Sequence, residues 1–163
     1  MAADLTFRNV TLIDGSGSAG RAADVAVEAG RIIAVGEAPA GRREVDGRGL
    51  VLCPGFVDTH SHDDGAFLRY PAMEFKLAQG VTTEISGNCG SSAIPNAPGR
   101  SFPNDIAGGS APWEDLDGYF AACMERRQAI NNAMLVGHNR VRALAMDYDV
   151  RAASAAELAG MQG

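Results

Sequence analysis

His60 and His62 are separated by one residue in PGFVDTHSHDD, residues 54–64, a stretch that opens on Phe56-Val57 and closes on Asp63-Asp64. In an extended strand, side chains two apart share a face. The two imidazoles therefore point the same way, with Phe56 and Asp58, while Val57, Thr59 and Ser61 point the other. A pair of imidazoles at a strand end is ready to ligate a metal. A bare H-x-H fits one hydrogen-bonded and one solvated histidine equally well; two further residues tip the balance. Asp58 precedes on the same face, where a carboxylate can orient an imidazole from behind. Cys89 ends the next strand-like run, in SGNCG, whose glycines let backbone approach a centre closely. Thiolate and imidazole together favour zinc or another borderline-soft metal over magnesium or calcium. The expected metal ligands are His60, His62 and Cys89.

The other two cysteines are read differently. Cys53 ends an apolar run before Pro54, and Cys123 falls in the apolar stripe of a helix, so both are expected to be buried core thiols. Three widely spaced cysteines suit free thiols or a ligand better than a disulfide framework. The net charge is −6, and the single lysine, Lys76, and scattered arginines form no stripe. Phosphate-tracking surfaces need clustered Lys and Arg, so no nucleic-acid partner is expected. No apolar run reaches the roughly 20 residues of a membrane helix, so no membrane partner is expected either. MAADLTFRNV lacks the basic and long apolar regions of a secretory signal, which makes a cytoplasmic location the default.

The elements that would position these residues change character near residue 54. Before it, LTFRNVTLI reads as strand and DGSGSAGR as turn. Gly15, Gly17 and Gly20 fit the G-x-G-x-x-G dinucleotide fingerprint, which requires a helix to follow. DVAVEAGRIIAVG follows instead, alternating through Val25 and Val27 and turning at Ala29-Gly30, which is a hairpin. After residue 54, FVDTHSH reads as strand, and PAMEFKLAQG as a helix with Met73 and Leu77 one turn apart and Gly80 as its stop. VTTEIS is a β-branched strand. The loop over 87–112 is too long for a simple connection. WEDLDGYFAACMERRQAI is an amphipathic helix with Leu116, Phe120, Cys123 and Met124 on its apolar stripe. AMLVGH is a third strand, carrying His138, and RVRALAM a helical turn or two. Ser154-Ala155-Ala156-Glu157 is a capping box opening a last helix. Strands alternating with helices in this order imply an α/β fold with a parallel sheet.

These segments resemble a known family. GRGLVLCPGFVDTHSHDD followed by QGVTTEISGNCGSS resembles the start of the N-acyl-D-amino-acid deacylases (D-aminoacylases) of the amidohydrolase superfamily. Pro-Gly-Phe-Val-Asp-x-His-x-His is similar to the superfamily's first-strand signature, and Gly-Asn-Cys-Gly to an element particular to that branch. LVGHNRVRALAMD resembles the branch's third-strand segment, except that Asn139 stands where relatives have glycine. The resemblance implies a small β-sandwich beside a TIM-like (β/α)8 barrel. Residues 1–53 would be the N-terminal part of the sandwich, and 54–163 the first three β/α units of an incomplete barrel, since a closed one takes about 250 residues. It implies Cys89 on a tightly held zinc and the His60–His62 pair at a second metal position. His138 would line the site rather than ligate, and Asp63 and Asp64 are candidates to face substrate, although carboxylates after a strand are more often solvated.

The activity implied is zinc-dependent hydrolysis of N-acyl-D-amino acids, small-molecule substrates, to a carboxylate and a D-amino acid. The family draws two further histidines and a catalytic aspartate from later strands. The 163-residue chain alone is therefore expected to be inactive, poorly stable, and prone to self-associate through open strand edges. Two alternatives stand beside this reading. A dihydroorotase-like or hydantoinase-like cyclic amidase would share the H-x-H strand, but such relatives use a carboxylated lysine and Lys76 falls in a helix. The other is a non-catalytic truncated product.

Overall fold

Ala3–Leu12, buried at Ala3, Thr6, Val10 and Leu12, makes β1, the strand on which the first part of the chain assembles. The computed structural model describes residues 2–97 and 113–162, and the chain divides into two units, Met1–Pro54 and Gly55–Gly163. In the first, β1 pairs antiparallel with β2 (Arg21–Glu28), which pairs antiparallel with β3 (Arg31–Gly36). On its other edge β1 runs parallel to β4 (Gly41–Asp46) and, nearer its end, to β5 (Val51–Leu52). The Gly-rich stretch 15–20 joins β1 to β2, and a strand follows it, so it holds no dinucleotide fingerprint. Ala29 and Gly30 have φ of 48° and 73°, as the two-residue turn between β2 and β3 requires.

Val10, Leu12, Ala23 and Val25 form the core of this unit, with Phe7 and Leu52 packed against it. Cys53 is exposed, contrary to the expectation of a core thiol. Leu52 turns inward and Val51 outward, and strand alternation puts Cys53 on Val51's side.

In the second unit, β6 (Phe56–Asp58), β7 (Val81–Ser86) and β8 (Asn131–Met134) form a parallel sheet in chain order. Its connections carry α1 (Ala66–Arg69), α2 (Glu74–Leu77) and α3 (Leu116–Glu125); α4 (His138–Met146) and α5 (Ala155–Gln162) follow β8. The core gathers Phe67, Met73, Ile94, Trp113, Tyr119 and Cys123, with the rings of Trp113 and Tyr119 edge-on at 5.6 Å.

Three expectations change here. The helix over 71–80 shrinks to α2, because Met73 is fully buried with a left-handed φ of 44° and starts the helix only at Glu74. On α3 the inward stripe includes Tyr119, while Met124 is 72% exposed. The third strand ends at Met134, and His138 opens α4 behind a Gly137 cap rather than lying on the strand.

The capping box at α5 is formed: Ser154 N–H donates to Glu157 Oε2 at 2.7 Å, and Glu157 N–H to Ser154 Oγ at 3.3 Å. Arg151 beside Glu157 and the Ser154 N–H hold the Glu157 carboxyl well below its ordinary 4.5. A depressed carboxyl contributes stability that is present above its unfolded pKa and is lost as pH falls. Amide protection over 155–162, taken relative to the intrinsic exchange rate at each pH, should therefore fall as pH drops below about 4.5, and Glu157→Gln should remove that acid dependence. No helix among the described residues is long and apolar enough to cross a membrane.

Candidate metal centre

His60, His62 and Cys89 each offer a ligand atom, and these atoms lie within 4.8 Å of one another. His60 Nε2 is 3.2 Å from Cys89 Sγ, and the two imidazole centroids are 5.7 Å apart. A tetrahedral zinc with bonds of about 2.0–2.1 Å to nitrogen and 2.3 Å to sulfur separates N and S by about 3.6 Å. The three groups therefore fit such an ion with shifts of about an ångström. Two imidazoles and a thiolate are a borderline-soft donor set, and a tetrahedral ion would keep a fourth position open.

The arrangement is built by the turns beyond two strand ends. β6 stops at Asp58 and the chain bends at His60, so strict alternation ends there: Ser61 is buried between the exposed His60 and His62, and Asp58, expected on the histidines' face, reaches Lys76 together with Ser61. Ser61 N–H still donates to Ile85 O at 3.3 Å, prolonging the pairing with β7. Asp58 Oδ1 accepts from the His60 backbone N–H at 3.2 Å, so it holds that residue by its main chain. Asn88 Nδ2 donates to Ser61 O at 3.2 Å and to Ile85 O at 2.9 Å, stapling the histidine segment to the cysteine loop. Cys89 sits at φ 55°, between Gly87 and Gly90 at 79° and 77°, in a run of left-handed residues that folds the loop back.

The loop after β8 braces that fold. Leu135 N–H donates to Ser86 O, and Asn139 N–H to Gly90 O, both at 2.9 Å. Gly137 N–H donates to Ser92 Oγ, also at 2.9 Å.

Beneath the histidine segment, α2 delivers Lys76. Its Nζ is 2.7 Å from Asp58, 2.9 Å from Asp63 and 3.3 Å from Glu84, with Ser61 Oγ at 3.4 Å. Burial opposes the Lys76 charge, but hydrogen bonds to Asp58 and Asp63 and the field of Glu84 outweigh it and raise its pKa. The same ammonium, with the His60 N–H, lowers the pKa of Asp58. Glu84 is fully buried; desolvation pushes its carboxyl upward, and neither oxygen has a donor in hydrogen-bonding geometry among the described residues.

Other expected site residues are placed as follows. Asp63 belongs to the Lys76 cluster. Asp64 is not solvated: it is 6% exposed, accepts at Oδ1 from Ala93 N–H at 3.3 Å, and its burial raises the carboxyl's pKa. Its carbonyl accepts from the buried Tyr119 hydroxyl at 2.7 Å, which pins the loop after His62 to α3. His138 is exposed at the start of α4, next to Asn139, whose Nδ2 reaches Cys89 O at 3.5 Å. Cys123 is buried in the core, away from solvent. Of the loop over 87–112, residues 98–112 lie outside the described residues. Sequence reasoning missed Lys76, Glu84, Asn88 and Tyr119 as parts of the site. A charged residue inside the β-branched run VTTEIS was the one available signal for Glu84.

Ligand groups gathered beyond the C-terminal ends of parallel strands are where α/β barrel enzymes place their chemistry. A profile described as "Amidohydrolase family" matches residues 43–161. The chain belongs to the amidohydrolase family. It is 43% identical to a D-aminoacylase and 41% identical to an N-acyl-D-aspartate deacylase of Alcaligenes xylosoxydans xylosoxydans, each over 98% of this chain. It spans about a third of the length of these curated relatives, 34% and 33%. Among solved structures, N-acyl-D-glutamate deacylase from Bordetella bronchiseptica, complexed with zinc and a phosphonate inhibitor, superposes with a TM-score of 0.85 at 40% identity. That match covers 99% of this chain and 35% of the other.

Proposed function

We propose that the chain supplies the metal-holding N-terminal part of a zinc-dependent N-acyl-D-amino-acid deacylase. The observation that carries this reading is the convergence of His60, His62 and Cys89. In it, the first unit is a share of a β-sandwich (residues 1–53) and β6, β7 and β8 are the opening strands of a TIM-like barrel (residues 54–163). His60, His62 and Cys89 would hold zinc, which when bound would acidify water and polarise the acyl carbonyl. Asp58, Asn88 and Tyr119 fix the backbone that presents the ligands, and the exposed His138 would line the site for a small N-acyl-D-amino acid. The location is cytoplasmic, and the open edges of β6 and β8 would pair with other chains if left uncovered.

The Lys76 environment favours this reading over a cyclic amidase with a carboxylated lysine. A carbamate would set a negative charge among Asp58, Asp63 and Glu84, where the ammonium now balances them.

The test is hydrolysis of N-acetyl-D-amino acids, with chiral chromatography of the released amine. It is run with zinc on the 163-residue chain and on a protein of the relatives' length that begins with this sequence. Free D-amino acid from the longer protein, and none from the 163-residue chain, is expected. Release of L-amino acid, or opening of dihydroorotate or hydantoin rings instead, overturns the reading.

A further inference from the structure

We propose that Lys76 is a positioning residue for the ligand trio: its ammonium ties the segment bearing His60 and His62 to the strand that leads to Cys89. This rests on the metal reading above.

The ammonium touches the histidine segment at three places that flank the two ligands, namely Asp58, Ser61 and Asp63. Asp58 passes the restraint on by accepting from the His60 N–H. On the other side the ammonium faces Glu84, on β7, five residues before Cys89. Lys76 is thus the cation common to two strand ends whose side chains must meet within a few ångströms. Without it, Asp58 and Asp63 would repel each other and the buried Glu84 would face both, so the turn carrying His60 and His62 would move away from β7. The coupling is directional: the Cys89 loop is also held by the Asn88 bond to Ile85 O and by the loop after β8, neither of which uses Lys76, so loss of Lys76 displaces the imidazoles more than the sulfur.

The experiment is a cobalt(II) titration of the 163-residue chain, read by absorption. The thiolate-to-cobalt charge-transfer band reports Cys89, and the intensity of the visible d–d bands reports the low coordination number that the imidazoles help impose. Lys76→Met should weaken cobalt binding by about 10–100-fold, the usual effect of removing a partner behind a ligand. At saturating cobalt it should keep the charge-transfer band and lose d–d intensity. A merely structural defect would reduce both bands together. Lys76→Arg, which keeps the charge, should restore most of the affinity. Because Lys76→Met strands a buried carboxylate, Lys76→Met/Glu84→Gln is made as well; it should recover the melting temperature and remain weak for cobalt. Wild-type affinity and spectrum in either Met variant overturn the proposal. Failure of the wild-type chain to bind cobalt, or undiminished binding by Cys89→Ala, overturns the metal reading itself and this proposal with it, before any Lys76 variant is compared.

Discussion

Cys89→Ala is expected to lower zinc affinity by at least about 100-fold, or roughly 3 kcal/mol, measured by competition with a chromophoric chelator. The sulfur is one of three donors gathered within 4.8 Å, and it is the one that separates a zinc-like site from a site for harder ions. Alanine isolates that sulfur. Cys89 has a left-handed φ of 55°, and alanine, which also carries a Cβ, is no more strained there than cysteine. The loop's restraints are also untouched, since Asn88 and the Gly90 carbonyl hold it without using the thiol. Cys53→Ala and Cys123→Ala are the controls. One is exposed and the other buried in the core of α3, and neither belongs to the ligand cluster. Their zinc affinity should match wild type. Equal binding by Cys89→Ala would remove the basis for a metal centre at this place.

The meeting of His60, His62 and Cys89 was readable in the sequence because local rules set each of them near a strand end. His60 and His62, two apart, both emerge exposed with Ser61 turned inward, although the bend at His60 takes Asp58 off the face that alternation assigned to it. Glycines around Cys89 announced a close backbone approach, and the left-handed φ values of Gly87, Cys89 and Gly90 fold the chain into it. The supports were not readable in the same way. The Lys76 cluster joins residues 58, 63, 76 and 84, contributed by two strands, a helix and a loop. No spacing rule links them; only the register that sets Asp58 opposite Glu84 does so.

The errors have a common cause: a pattern was read without knowing which face would be covered. Cys53 follows an apolar run but lies on its outer side. Leu135 and Val136 look like strand yet are half exposed in the connection that carries His138 into α4. Met124 was placed on the stripe of α3, whose buried line runs through Tyr119 instead, because the hydroxyl of Tyr119 finds the Asp64 carbonyl.

Gly87→Ala should destabilise the second unit by about 3–5 kcal/mol, among the largest effects available to a single methyl group. A Cβ at Gly87 would fall well inside contact distance of the Leu135 carbonyl oxygen, and 2.9 Å from the Leu135 backbone C and N. Backbone cannot step aside as a side chain can. Relief requires pulling the end of β8 away from β7, which breaks the bond from Leu135 N–H to Ser86 O, 2.9 Å long. The left-handed φ of 79° adds its own strain for any residue with a Cβ. Gly80→Ala provides the comparison. Its φ is 81°, but the nearest atoms are ring carbons of Phe56 at 3.3 and 3.4 Å, and that ring is 59% exposed and free to shift. Only the backbone strain remains there, about 1 kcal/mol. Urea unfolding followed by Trp113, the single tryptophan and a member of that unit's core, measures both variants. Gly87→Ala should also loosen zinc, because the backbone it displaces carries Cys89 two residues on. A loss at Gly87 no greater than at Gly80 would mean that the loop after β8 does not brace the cysteine.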